Sequence, residues 1–377
     1  MEVSIAGTCA PGFEAVRAAF AANFAERGEV GAAVCVIRRG EVVVDLWGGW
    51  ADEARTRVWQ PDTLVNVYSV GKAVLAALAL QVVDGGTLAL DTRIADVWPE
   101  FASGGKSGAT VRHALCHQAG VPAIRGRILT DDDLWDWETM TAAVAATEAW
   151  FEPGSRHVYH TNTFGHLVGG VVHRATGELP GARLVAICGP PGIDLWVGLP
   201  TEHHARCADV IWAPAAPMPS FRFEDLTGDA LMAALAYRNP PGYSSMGVVN
   251  TPAWRRAQVP STNAHATARG LARFYELLLE PGRVVSAELL ADATRPHSVG
   301  PCPILGEEAT FGLGFTPTTA RRPLGPNPRS FGHFGTGGAL GFADPDAGIA
   351  FGYVMNHVIP RWQSTRNRAL IDALYAR

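Results

Sequence analysis

The stretch Tyr68-Ser69-Val70-Gly71-Lys72-Ala73-Val74-Leu75-Ala76-Ala77-Leu78-Ala79-Leu80-Gln81-Val82-Val83-Asp84-Gly85-Gly86 sets the frame for the whole chain. Its Ala-rich apolar run ends in a double glycine, which predicts a buried helix with Ser69 in the first turn and a glycine stop. Residues at i and i+3 share a helix face, so the Ser69 hydroxyl and the Lys72 amine are expected to be neighbours. A lysine in an apolar helix loses hydration, its pKa falls, and the neutral amine can serve as base for a serine nucleophile. The positive helix end also places the Ser69 N–H where an oxyanion could develop. The plain alternative is a serine that only caps the helix. The apolar run, interrupted by Gln81 and bounded by Lys72 and Asp84, falls short of the roughly 20 residues a membrane span needs.

Both directions from this helix lead to sheet. Upstream, Phe13, Val16, Phe20 and Phe24 recur at helical spacing. Residues 32–37 and 42–47 then form two β-branched runs around Arg38-Arg39-Gly40-Glu41, the pattern of a hairpin. At the other end, residues 310–316 and 348–357 are strand-like and residues 363–375 read as a helix. The middle differs: residues 132–149, 167–175 and 263–279 have a helical period, and alternating strands are scarce between residues 90 and 257. Pro190 and Pro191, Pro214, Pro217 and Pro219, and Pro240 and Pro241 break it into loops. The expected fold is α/β (α+β): a central antiparallel sheet flanked by helices and built from both chain ends, residues 1–90 and 255–377. A mainly helical domain, residues 91–254, is inserted. A length of 377 residues suits two domains at about 150 residues each.

The composition narrows the partners. With 47% hydrophobic and 18% charged residues the chain can bury a large core. Lys and Arg number 31 against 36 Asp and Glu, a formal charge of -5, with no basic stripe for a phosphate backbone, so nucleic acid is not an expected partner. Cys9, Cys35, Cys116, Cys188, Cys207 and Cys302 are scattered singly, which reads as free thiols in a reducing compartment. The first ten residues carry no signal-peptide pattern. A cytoplasmic protein without membrane contact is expected.

Two further segments could carry chemistry. Pro153-Gly154-Ser155-Arg156-His157-Val158-Tyr159-His160-Thr161-Asn162 delivers a tyrosine just ahead of a helix. A phenol beside a lysine ammonium is pushed toward phenolate and could relay a proton; a core tyrosine is the alternative. Phe331-Gly332-His333-Phe334-Gly335-Thr336-Gly337-Gly338 is glycine-dense within strand-like surroundings, which marks either close ligand approach or a bulged edge strand.

Taken jointly and in this order, the three segments resemble the serine β-lactamase and penicillin-binding protein superfamily, with its SxxK, tyrosine and KTG-like motifs. Within it the chain most resembles the class C β-lactamase-like esterases known as family VIII carboxylesterases. Asp45-Leu46-Trp47-Gly48-Gly49, the segment from Thr110 to Pro122 and Gly341-Phe342-Ala343-Asp344-Pro345 add to the likeness. The resemblance implies Ser69 as acylated nucleophile, Lys72 as its base and Tyr159 as proton shuttle to the departing alcohol. It also implies the backbone amides of Ser69 and Thr336 as oxyanion hole, and His333, Phe334 and Gly335 as substrate-binding strand. The activity implied is hydrolysis of small to medium esters through an acyl-serine, without metal or cofactor. A β-lactamase, a D-amino-acid amidohydrolase, an acyltransferase and a non-catalytic penicillin-recognising protein are the alternatives. Two departures favour esters: the tyrosine motif lacks the asparagine of Tyr-x-Asn unless Asn162 substitutes, and His333 replaces the lysine that would pair a lactam carboxylate.

Other segments imitate sites. Gly242-Tyr243-Ser244-Ser245-Met246-Gly247 lacks the last glycine of a nucleophile elbow, and Gly104-Gly105-Lys106-Ser107 has Glu100 where a phosphate loop needs glycine. Glu202, His203, His204 and Cys207 read as a solvated helix start more than a zinc site. His113 and His117 read as structural, hydrogen-bonded histidines, with contact to the site as the alternative. Trp135, Trp137, Trp150 and Trp212 fit core packing or an aromatic pocket wall.

Overall fold

The computed structural model describes residues 3–213, 222–359 and 363–376; Pro214, Pro217 and Pro219 lie outside the described residues. Seven strands form one sheet: β1 (Ile5–Cys9), β2 (Gly31–Arg38), β3 (Glu41–Gly49), β4 (Thr316–Pro317), β5 (Phe331–Phe334), β6 (Leu340–Asp344) and β7 (Ile349–Met355). Their order is β1-β3-β2-β7-β6-β5-β4, with every neighbouring pair antiparallel. The two chain ends meet at β2 and β7, in register from Ala32 opposite Met355 to Arg38 opposite Ile349. All of β7 and all but the last residue of β2 are buried, as expected of strands covered on both faces.

Five helices matter for the site: α1 (Glu14–Glu26), α2 (Val70–Asp84), α3 (Thr163–Thr176), α4 (Ala268–Leu279) and α5 (Thr365–Tyr375). Helix α4 lies on β2, β6 and β7. It comes close because Gly341 and Gly352 face each other across β6 and β7. A Cβ at Gly352 would stand 2.2 Å from the Ala268 carbonyl oxygen, and one at Gly341 would stand 2.3 Å from the Tyr275 ring. Helices α1 and α5 pack together, and Phe20 of α1 is fully buried, worth about 1.5–3 kcal/mol. Helix α2, buried except at Gln81, Val83 and Asp84, packs against α3 and against β5, so it joins the helical layer to the sheet.

Four sequence expectations change in detail. The hairpin loop contracts to Arg39-Gly40, because both residues take positive φ, 51° and 89°, the mirror-image turn that matches strand twist. The run at 310–316 is split between a hairpin strand, Glu307–Phe311, and β4. Gly314 separates them at φ 78°, so close to α2 that a Cβ would meet Ala76 at 2.3 Å. The run at 132–149 becomes two helices, Asp131–Leu134 and Trp137–Ala146, capped separately by Thr130 and Asp136. The segment at 263–279 opens with a short strand, His265–Ala266, and α4 starts after the Thr267 cap. In the middle of the chain only two-residue strands occur among the described residues, Leu195–Trp196 and Ile211–Trp212. No described helix is long and apolar enough to cross a membrane.

Candidate active site

The chain turns sharply into α2. Tyr68 has φ 52°, costly for a bulky residue, and is held by its edge contact with Trp212 at 6.1 Å and by the Ser245 hydroxyl, which donates to its OH at 3.4 Å. Ser69 follows at φ -66°, ψ -6°, and its side chain makes no capping hydrogen bond. Its Oγ lies 2.9 Å from Lys72 Nζ and accepts from Tyr159 OH at 3.0 Å. All three side chains are buried.

Lys72 has a second partner, the Ser261 carbonyl oxygen at 3.0 Å, which accepts an N–H from its amine. The loop carrying Ser261 is wedged between α2 and α3 at two glycines. A Cβ at Gly71 would lie 2.4 Å from the Pro260 oxygen, and one at Gly165 would lie 2.7 Å from the Ser261 nitrogen. The Ser261 hydroxyl donates to the Asn162 carbonyl at 2.6 Å, and the Asn66 amide donates to the Thr262 carbonyl at 3.0 Å. Gly71→Ala should therefore destabilise the fold by about 1–3 kcal/mol, as overpacking does, and lower ester turnover by pushing the loop off Lys72. Calorimetry with an ester assay checks both, and an unchanged turnover would show that the loop does not set the lysine.

Tyr159 is held from its backbone, whose N–H donates to Cys302 Sγ at 3.2 Å. Its ring stacks on Phe311 at 5.4 Å and 12° and lies 4.9 Å from His117 and 6.5 Å from His333. His117, read as a structural histidine with contact to the site as the alternative, packs directly on the tyrosine. Backbone donors set the tautomers: His117 Nδ1 accepts from the His160 N–H at 3.2 Å, and His160 Nε2 accepts from the Val121 N–H at 3.2 Å. His160 Nδ1 is left to donate to the Val158 carbonyl at 2.7 Å.

The glycine-dense strand reaches the same place. A Cβ on Gly335 would lie 2.3 Å from the Val67 carbonyl oxygen, so the end of β5 abuts the backbone two residues before Ser69. Thr336 opens a short 3-10 turn, Thr336–Gly338. Among the described residues, neither the Ser69 N–H nor the Thr336 N–H donates to another protein group. His333 is buried, with Nδ1 donating to the Phe334 carbonyl at 2.8 Å, and Phe334 is core. Asn162, expected to face substrate, has its amide committed within the protein. It donates to the Ala236 carbonyl at 2.8 Å and Ser244 Oγ at 2.7 Å and accepts from Thr262 Oγ1 at 3.0 Å.

Burial dominates the electrostatics. It pushes Lys72 well below its ordinary value and Tyr159 well above, so the phenol keeps its proton and the amine gives up its own more readily than a solvated lysine. The apolar enclosure disfavours the charged form of each group, so a phenolate is transient and needs the Lys72 ammonium beside it. Burial likewise lowers His160 to about 4 and His333 to about 3, which leaves neutral imidazoles around the tyrosine. In its neutral form, which burial favours, the Lys72 amine can receive the Ser69 proton on its lone pair while an N–H holds the Ser261 carbonyl.

The imitating segments go elsewhere. Lys106 is buried and donates to the carbonyls of Ser103 and Thr147. Ser245 lies beside Tyr68, and Glu202, His203 and His204 lie in a 3-10 turn, Thr201–Arg206. No described group of three or more His, Cys, Asp or Glu could hold a metal ion. Sequence reasoning missed Ser261 and Cys302, since a serine in a Pro-Ser-Thr-Asn loop and a lone cysteine carry no sign of what they touch.

Known proteins share this architecture over nearly the whole chain. The beta-lactamase family matches residues 16–376. The esterase/beta-lactamase LipL of Mycobacterium tuberculosis is 33% identical, over 94% of this chain and 83% of its own. A family VIII carboxylesterase superposes with a TM-score of 0.90 at 37% identity, covering 99% of both chains. A penicillin-binding protein homologue from Caulobacter crescentus gives 0.89 at 38% identity, again covering 99% of both. With its Ser69, Lys72 and Tyr159 gathered at one point of that shared fold, the chain belongs to the beta-lactamase family.

Proposed function

We propose that this chain is a serine carboxylesterase acting on small to medium esters through an acyl-Ser69 intermediate. The observation that carries the reading is the buried Ser69 Oγ, 2.9 Å from Lys72 Nζ and 3.0 Å from Tyr159 OH. Lys72 takes the hydroxyl proton as Oγ attacks the ester carbonyl. The Ser69 and Thr336 amides receive the oxyanion. Tyr159 protonates the departing alkoxide, and the Lys72 ammonium, 5.0 Å from the ring centroid, supports the transient phenolate and returns a proton to it. Water then attacks the acyl-serine by the same groups in reverse. No metal or cofactor enters these steps. The likeness to proteins named esterase and carboxylesterase supports the chemistry.

The test is a fluorophosphonate or a short-chain p-nitrophenyl ester quenched in acid, followed by peptide mapping. An adduct on the Ser69 peptide is expected; an adduct elsewhere, or none with turnover intact, overturns the assignment.

The neutral His333 favours esters over carboxylate-bearing lactams. His333→Lys should raise the ratio of cephalosporin to ester turnover, and an unchanged ratio would show that a cation at this position is not what limits lactams. We also read residues 1–90 and 255–377 as one discontinuous domain around an inserted 91–254, and the six unpaired cysteines as the mark of a cytoplasmic protein.

A further inference from the structure

The turn that carries Thr336 is gripped from behind by the most buried ion pair among the described residues. Glu29, at the end of the segment after α1, and Arg366, in α5, have side chains 0% and 1% exposed. Arg366 Nη1 donates to Glu29 Oε1 at 2.6 Å, and the Tyr353 hydroxyl donates to the other Glu29 oxygen. The second guanidinium nitrogen, Nη2, donates to the carbonyls of Gly337 at 3.0 Å and His357 at 2.8 Å. Next to it, Asn367 Nδ2 donates to the Gly338 carbonyl at 2.9 Å.

We infer that the Glu29–Arg366 pair is a positioning device for the oxyanion hole, acting through the Gly337 carbonyl; the inference rests on the reading of the Thr336 N–H as an oxyanion donor. Gly337 and Gly338 have φ of 85° and 111°, and glycines there have the widest choice of alternative conformations. The turn is closed by the Gly338 N–H on the Gly335 carbonyl at 3.1 Å and the Gly335 N–H on the Ala339 carbonyl at 2.7 Å. These bonds close the loop, and Arg366 and Asn367 then fix the peptides that follow Thr336. Space for this tight packing exists because side chains are absent: a Cβ at Gly337 would lie 2.9 Å from Met355 Cε, and one at Gly338 2.6 Å from Ser364 Oγ.

A charge-assisted donor in a fixed planar fork suits such a task better than apolar packing. Desolvating two charges brings little net stability, and a well-packed apolar pair often serves a fold equally well. Geometry is what the ion pair adds here. Neither residue is bonded to Ser69, Lys72 or Tyr159, so both act through the turn.

The test is the double variant Glu29→Leu with Arg366→Met, since either single change strands a buried charge. Its thermal midpoint should fall, because the Gly337 and His357 carbonyls and the Tyr353 hydroxyl lose their partners. The folded variant's kcat on p-nitrophenyl acetate should fall about 10- to 100-fold, short of the roughly 10²- to 10³-fold loss when an oxyanion donor is removed outright, with KM unchanged. Arg366→Lys, which keeps a cation beside Glu29 but loses the fork, should give an intermediate kcat and decides the matter should the double variant not fold. A folded variant with wild-type kcat overturns the inference.

Thr336→Pro separates the two readings. It removes the donor outright in a position that accepts proline, because Thr336 opens a helical turn and Gly335 before it is extended at φ -106°, ψ 159°. With Thr336→Ala as control, undiminished kcat in Thr336→Pro rejects the oxyanion reading itself. A large loss there with none in the Arg366 variants rejects only the positioning role.

Discussion

Ser69→Ala should lower turnover of a short-chain p-nitrophenyl ester by about 10⁴- to 10⁶-fold, the scale seen when a hydrolase loses its nucleophile. The remaining activity would come from the backbone amides of residues 69 and 336, which would still polarise the carbonyl. The fold should survive. Ser69 makes no capping hydrogen bond, so no helix end is lost. The Tyr159 hydroxyl is deprived of its acceptor at 3.0 Å, a loss of about 1–3 kcal/mol for a buried polar group. A modestly lower thermal midpoint with unchanged circular dichroism is therefore expected beside the collapse of activity. Equal rates in wild type and variant would mean that the ester is cleaved elsewhere, and the whole assignment would fall.

The site was unevenly legible in the sequence, and the reason is the range of the forces involved. Ser69 and Lys72 could be paired from spacing alone, because the helical period places i and i+3 on one face whatever the rest of the chain does. Tyr159 and His333 could be proposed only together with the other motifs, since the strand pairings and helix contacts that bring them to α2 span scores of residues. Ser261 and Cys302 were beyond reach. Each acts by one polar atom aimed at a residue far away in sequence, Ser261 through a backbone carbonyl that no side-chain pattern encodes. The resting charges were beyond reach for a related reason: an ammonium favours the phenolate beside it, but burial, which depends on the whole fold, disfavours the charged form of each group. In the fold, periodicity found the strands and helices of both chain ends, while the breaks at Trp135-Asp136 and Gly312–Phe315 depended on caps and on the close pass of Gly314 over Ala76.

Lys72→Met should abolish most activity and, over part of the pH range, stabilise the protein. Loss of a general base costs about 10²- to 10⁴-fold, and Lys72→Arg should do no better at any accessible pH, because guanidinium does not give up its proton. Wild-type kcat/KM should rise with pH through the lowered Lys72 pKa, as the amine becomes able to accept the serine proton. The same shift governs folding. Burial holds the folded-state pKa below the unfolded value of about 10.4. Between those two values the unfolded chain binds a proton that the folded chain excludes, so wild-type stability rises with pH there, by up to about 1.4 kcal/mol per unit. The methionine side chain has no such proton. Its other consequence, a Ser261 carbonyl left without its donor, is independent of pH and opposes the gain by about 1–3 kcal/mol. Lys72 also lowers His117 and His333, so the comparison is made above the histidine range, where the imidazoles are neutral in both proteins. The stability of Lys72→Met relative to wild type should therefore be greatest at the low-pH end of that interval and decline as pH rises toward the unfolded value of about 10.4, in urea titrations run across it. Parallel stability curves for the two proteins would mean that folded Lys72 carries its proton, and Lys72 could then no longer be the base that activates Ser69.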